Sequence, residues 1–578
     1  MVQTRVTTRV PRGDFRMTPS PASPSSHPSP PVPPSHEEKP REDGLSRRPF
    51  LEAAGLVGGV TILSRLLGLV RDMTLAAALG ATRVADVFWI AFELPNLMRR
   101  VLGEGSLSVF VVPVFTKERL ERGEEAGWRF ASNALTVLAA FALGVTALGM
   151  LAAKPLFSIF GFGYFQRGDT EAIALGTQLT SVMFPFVTLL ALSSILMGLC
   201  HALRHFLMPA LGPVVMNVTM IAAAGLFHHR SDSTVARALA VSVVISGLLR
   251  VGIMVRPLVR AGFRYRFSFQ AASPAMRELY RMMLPAFFGM AVAQVNVSLS
   301  RAFATKLGEG FVPCLMFSQR LFELPLGIVA SSLATAILPQ LAHDWLAGRR
   351  AELERLVRLA FRIVFILFVP ATVGLIALGL PIVRLLLERG DWTFQSSLWA
   401  YQALVFYAPS LVIWGMLKIL TPVFYAQRDV RTPVVAGVVS LLVNIALNLA
   451  VIFIEPVRVA LGHAGLALAT TFSVLANALV LMAVLEKRGL ALWNGRLTRT
   501  AFGTLAAACG MGAAAWTLWE KVWPLAGIQG RTMGAVALLT IIALSGAFYF
   551  LLAWALRVPN VTDAFAFLLR KNRNLKNR

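Results

Sequence analysis

Residues 184–209 read FPFVTLLALSSILMGLCHALRHFLMP, and residues 407–433 read YAPSLVIWGMLKILTPVFYAQRDVRTP. Each holds an apolar run between prolines 24 residues apart, Pro185 with Pro209 and Pro409 with Pro433. Each also has an arginine five residues before the second proline, Arg204 and Arg428. At about 1.5 Å per residue, roughly 20 apolar residues in a helix cross a hydrocarbon core of about 30 Å. Prolines are common in membrane helices, so the matched spacing, and not proline itself, marks these stretches as copies of one unit. A second pair lies at almost the same offset: FELP at Phe92–Pro95 and FELP at Phe322–Pro325.

Working outward, apolar segments recur at 53–80, 84–115, 130–153, 171–203, 209–227, 234–255, 282–305, 311–343, 356–386, 395–426, 432–454, 463–486, 499–519 and 532–556. The chain is 56% hydrophobic and 15% charged, with a mean hydropathy of +0.65, against about 45–50% apolar and 25% charged in soluble domains. The expected class is an all-α polytopic membrane protein of about 14 transmembrane helices. Two six-helix lobes related by the repeat, followed by two further helices, account for the pattern. The expected boundaries are 1–49 for a Pro/Ser-rich disordered tail, 50–260 and 261–490 for the lobes, 491–558 for the two additional helices and 559–578 for a basic tail.

The tail, which includes SPASPSSHPSPPVPPSHEEKPRED, has too little apolar area to form a core and lacks the layout of a signal peptide. Translation from Met17 is an alternative start. A net charge of +25 invites a nucleic-acid reading, but the cations fall in alternate connections: Lys117 to Arg129, Arg256 to Arg281, Arg349 to Arg358 and Lys487 to Arg499, with RKNRNLKNR at the end. That is the pattern of loops held on the cytoplasmic side, and it places both termini there. Cys200, Cys314 and Cys509 lie singly in apolar segments, without the spacing of a metal site or a disulfide framework.

An ionisable side chain inside a span costs at least about 2.5–3.5 kcal/mol on insertion scales, so each is a functional candidate. SRLLGLVRD contributes Arg65, Arg71 and Asp72; Arg65 and Asp72, seven apart, share a helix face, and Arg71 projects about 120° away. ADVFWIAFELPNLMRRVLGEGS contributes Asp86, Glu93, Arg99, Arg100 and Glu104, and Arg100 and Glu104 are spaced to pair. The second half adds Arg301, Lys418, and Arg320 with Glu323, again spaced to pair. Cations outnumber carboxylates, and a surplus of guanidinium groups suits a pyrophosphate, which arginine grips in a bidentate fork. It counts against an antiporter of cationic drugs. No GxSxG, HExxH or P-loop pattern occurs, and no loop is long enough to house a membrane-embedded glycan transferase or ligase.

SRLLGLVRD, ADVFWIAFELPNLMRRVLGEGSLSVFVVPVF, SQRLFELPLGIVASSLATAILPQLA and LKILTPVFYAQRDVRTP, in that order, resemble the MurJ (MviN) family of lipid II flippases, within the multidrug/oligosaccharidyl-lipid/polysaccharide exporter superfamily. The resemblance runs from about Leu51 to Pro559. It implies a fourteen-helix fold with a cationic central cavity, moving undecaprenyl-pyrophosphate-linked peptidoglycan precursor across the bacterial inner membrane by alternating access. A flippase for another polyprenyl-linked glycan is the alternative. The family's functional arginines match Arg65, Arg71, Arg99 and Arg320; its acidic positions match Asp72, Asp86 and Glu104, and Lys418 falls on its lysine before the proline and FYA motif. Some relatives bind sodium through a carboxylate in the seventh span and an Asn/Asp pair in the eleventh. The counterparts here are Ser300, Asn444 and Asn448, with no carboxylate, and Gln319 stands where relatives often have Asp. No organic cofactor is implied. Coupling to membrane potential, sodium or protons stays open, membrane lipids and cell-wall synthases are the expected neighbours, and a monomer is the expected unit.

Overall fold

The computed structural model describes residues 47–98, 106–522 and 530–561; side chains are described from Gly55 onward within these, except at 106–107, 285–297, 328–332, 334–336 and 522. Of the first compact unit, Met1–Glu52, only the opening turns of one helix are described. Ala53–Arg578 is a second unit, and its described residues are helices joined by short turns. In chain order these are α1 (Arg47–Leu79), α2 (Arg83–Met98), α3 (Ser106–Arg122), α4 (Glu124–Leu151), α5 (Ala153–Phe160), α6 (Phe162–Gln166), α7 (Thr170–Met183), α8 (Pro185–Ala202), α9 (Leu207–Ala210), α10 (Gly212–Phe227) and α11 (Asp232–Arg260). Then follow α12 (Pro274–Leu307), α13 (Phe311–Leu346), α14 (Arg350–Leu387), α15 (Phe394–Tyr407), α16 (Ser410–Ala426), α17 (Arg431–Phe453), α18 (Glu455–Leu461), α19 (Ala464–Lys487), α20 (Gly495–Thr517) and α21 (Arg531–Ala555).

Nine of the described helical stretches are long and apolar enough to cross a membrane, and α15 with α16, bent by 44°, makes a tenth. The protein is therefore a multi-pass, all-α membrane protein. The other four expected spans fall on α1, α2 with α3, α12 and α13, the stretches that carry the intramembrane charges.

Both repeat prolines sit where a helix breaks. Pro185 opens α8 at a position where its missing N–H is no loss, and Pro409 precedes α16 at the bend. The arginines of the repeat end α8 and α16 in the left-handed region, Arg204 at φ 61° and Arg428 at φ 57°. The next amide closes each turn, His205 N donating to Cys200 O at 2.7 Å and Asp429 N to Phe424 O at 2.9 Å. The apolar window of α7–α8 is 78% buried, and those of α9–α10 and α21 only 22%, so the first is central and the others face lipid. The two last helices pack on α14, where Tyr549 Oη donates to Ile366 O at 2.9 Å. One apolar core runs from Leu75 to Leu497, and a second joins α3, α4, α8, α11 and the start of α12.

Candidate functional site

One end of the bundle is stitched shut by the α1–α2 turn. The turn after α14 reaches it, Asp391 N donating to Ala77 O at 3.0 Å. Gly310, at φ 79°, precedes α13 so closely that a Cβ there would lie 2.2 Å from Ala81 O. Only glycine fits both the backbone angle and the approach. Asp86, fully buried, accepts from Gly310 N at 2.7 Å, Val312 N at 3.0 Å and Tyr164 Oη at 2.7 Å. A carboxylate on the free amides of a helix start satisfies donors that have no partner within the helix. Nearby, Gly163 N donates to Thr305 Oγ1 at 2.9 Å, Arg167 donates to Thr305 O at 2.9 Å, and Lys306 bonds Gln166.

Seven residues deeper on α2, about 10 Å along the axis, Glu93 forms a buried ion pair with Arg301 of α12. Ser298 Oγ donates to the same carboxylate at 2.7 Å. Arg301 Nη2 also donates to Gln319 Oε1 at 2.9 Å, and Gln319 Nε2 to Glu323 Oε1 at 2.9 Å. The sequence showed these charges singly; Ser298 and the join between Glu93 and Arg301 it did not.

A third set lies between α1 and α13. Arg71 folds back on its neighbour, Nε to Asp72 Oδ1 at 3.0 Å, and its Nη1 donates to Asn217 Oδ1 of α10 at 3.1 Å. Asn217 Nδ2 in turn donates to Ser64 O at 3.0 Å. Arg320 Nε stands 3.8 Å from the other Asp72 oxygen with its side chain 42% exposed, while Arg71 and Asp72 are buried. Arg65, exposed, donates to Gly327 O of α13 at 3.2 Å. So Arg65, Arg71 and Arg320 converge on one pair of helices, with Asp72 between two of them. Asp86 is spent on the α13 backbone, and Glu93 holds Arg301. Arg99, Arg100 and Glu104 lie outside the described residues, and Lys418 is exposed on α16. Asn217, which fixes Arg71, had only its polarity in an apolar span to signal it.

Ser300, Asn444 and Asn448 do meet. Ser300 Oγ donates to Asn444 Oδ1 at 3.3 Å, and Asn448 Nδ2 donates to Asn444 Oδ1 at 2.8 Å and to Ser300 Oγ at 3.2 Å. Buried Asn444 Nδ2 and Asn448 Oδ1 have no partner among the described residues. The set is neutral, and its best-placed oxygen already accepts two hydrogen bonds, so it offers a cation less than a set that holds a carboxylate.

The comparisons with known proteins bear on this arrangement. The family model described as lipid II flippase MurJ matches residues 75–538. The chain belongs to the MurJ family. It is 31% identical to a probable lipid II flippase MurJ of Rhizobium tropici, over 86% of this chain and 92% of that one. It is also 31% identical to the Bdellovibrio bacteriovorus protein of the same description, over 91% and 98%. The fold is that of a solved lipid II flippase MurJ in an inward closed conformation, with a TM-score of 0.69 at 22% identity over 87% of this chain and 99% of that one. A multidrug resistance MATE family transporter of the MOP superfamily, in an inward-facing conformation, shares it more distantly, with a TM-score of 0.59 at 14% identity over 76% and 98%. The family model's match begins at the last turn of α1 and takes in α13 and the repeat.

Proposed function

We propose that this protein flips lipid II, the undecaprenyl-pyrophosphate-linked peptidoglycan precursor, from the cytoplasmic to the periplasmic leaflet of the inner membrane. It does so as a transporter with no catalytic chemistry of its own. The observation that carries the reading is the convergence of Arg65, Arg71 and Arg320 on α1 and α13, in a family whose described members are named for this lipid.

The reading has fourteen spans, both termini in the cytoplasm because the cations lie in alternate connections, and two lobes, 50–260 and 261–490. In that orientation the stitched end is periplasmic. The pyrophosphate enters from the cytoplasmic leaflet and takes guanidinium donors from exposed Arg65 and Arg320, with Arg71 behind them; Arg99, outside the described residues, is the fourth arginine of this reading. Asp72 holds Arg71 and Arg320 while substrate is absent and yields Arg320 when phosphate arrives, an exchange of partners that biases one state over the other. The prenyl tail stays in lipid as the lobes rock, so no large polar group crosses hydrocarbon. One chain supplies both walls of the site, so a monomer suffices.

The test is rescue of a bacterium depleted of its own flippase, read as lipid II exposed to an externally added degrading enzyme. The intact protein restores exposure, and Arg65→Ala or Arg320→Ala, inserted at equal levels, lowers it at least tenfold. An intact, well-inserted protein that leaves lipid II inside sinks the substrate assignment; unaffected variants sink the arginine roles.

A further inference from the structure

The repeat gives one chain two copies of the same turn, RHFLMP at 204–209 and RDVRTP at 428–433, and they differ in charge at two positions, His205 against Asp429 and Leu207 against Arg431. In the second copy Arg428 is followed by Asp429, whose carboxylate caps α17, accepting from Thr432 N at 3.0 Å, and pairs with Arg488 at the end of α19. In the first copy Arg204 has the same left-handed backbone, but His205 follows it. The carboxylate is missing and Arg431 has no counterpart, but Arg204 remains, with Arg256 and Arg260 beside it. The turn opens into a groove of about 540 Å³, walled by Arg204 and His205, by Arg256 and Arg260 of the last turns of α11, and by the exposed apolar Leu56 and Phe206. No Asp or Glu lines it among the described residues. Where the second copy neutralises a helix-end arginine internally, the first leaves three arginines facing an open, half-apolar groove.

We infer that this groove is a binding site for the phosphate headgroup of an anionic phospholipid, held by Arg204, Arg256 and Arg260 with its acyl chains along Leu56 and Phe206. Basic grooves between helices at the cytoplasmic face suit such headgroups, each cation near the surface contributing about 1 kcal/mol. Arginine binds phosphate through paired donors. The ligand takes the place that the Asp429 carboxylate holds in the other copy. Assignment to the inner leaflet rests on the orientation proposed above; the groove and its charge do not.

The test uses the full chain in nanodiscs of equal phosphatidylglycerol and phosphatidylcholine, free of polyprenyl lipid, with retained lipids counted by native mass spectrometry. Because both faces meet lipid and no transport is read, a failure here is separable from a failure of the flippase reading. The intact protein retains phosphatidylglycerol over phosphatidylcholine. Arg256→Gln with Arg260→Gln weakens that retention by roughly 25-fold, about fivefold per arginine. His205→Asp supplies the missing carboxylate and lowers retention with every arginine in place, which keeps the question open to decision if the paired variant fails to fold. Unchanged retention in folded variants, or equal retention of both lipids by the intact protein, overturns the site. So does added polyprenyl pyrophosphate that binds the intact protein and is lost in the variants while phosphatidylglycerol stays, since the groove would then belong to substrate.

Discussion

At the scale of single residues, the charges inside the spans were legible and their partners were not. Glu93 stands out in FELP because an acid in an apolar run demands a reason. Its partner is 208 residues away, and no spacing rule links two helices that meet only in the fold. The same limit applies to Arg71, which helix geometry turns away from the Arg65–Asp72 face, yet whose side chain bends back onto Asp72 and across to Asn217. A buried ion pair is costly to break from one side, because the remaining charge stays buried alone at about 3–5 kcal/mol. Arg301→Ala will therefore destabilise the protein more than Glu93→Gln with Arg301→Gln together, the pair removed as neutral groups. Thermal unfolding of the purified variants, arranged as a double-mutant cycle, reads the coupling; additive losses would mean that the two charges act independently.

At the scale of elements, the proline-bounded repeat marked two matching stretches, and it is in both of them that a helix breaks and the same turn follows. It did not foretell their left-handed arginines. That conformation disfavours a side chain and is usually left to glycine, so only the fivefold spacing to the second proline hinted at it. Nor did the sequence disclose that Asp429 caps α17 while pairing with Arg488. Burial works against ionisation of this carboxyl, yet hydrogen bonds from Thr432 and the Arg488 guanidinium outweigh it and hold it well below its usual 3.8. A folded-state value lowered in this way adds stability that is complete above the ordinary carboxylate range and is lost as pH falls below it. Asp429→Asn should thus melt lower than the parent by a constant margin from about pH 5 to 8, with the margin shrinking only below about pH 4. A margin that closes already near pH 6 would mean that the carboxyl is not held down.

At the scale of the whole molecule, hydropathy marked fourteen apolar segments, and nine or ten of them are helices long and apolar enough to cross a membrane among the described residues. What hydropathy could not show is which end is shut. That depends on backbone contacts: Gly310 against Ala81, Asp391 against Ala77, and the Asp86 carboxylate on the first amides of α13. The role of Asp86 could not be read beforehand, since an acid on backbone amides leaves no complementary charge in the sequence. If the chain works by alternating access, this end must open once per cycle. Gln166 and Lys306 bond across it from α6 and α12, so Gln166→Cys with Lys306→Cys places one thiol on each side of the contact, for a reducible bifunctional thiol cross-linker to join. Cys200 and Cys314 are buried, and exposed Cys509 can be replaced by serine. Treated with the cross-linker, the double variant will lose lipid II exposure in the depletion assay, each single variant will keep it, and reductant will restore it. Full activity of a protein shown by gel to be cross-linked would mean that substrate leaves without this end parting, and the rocking motion would have to be abandoned.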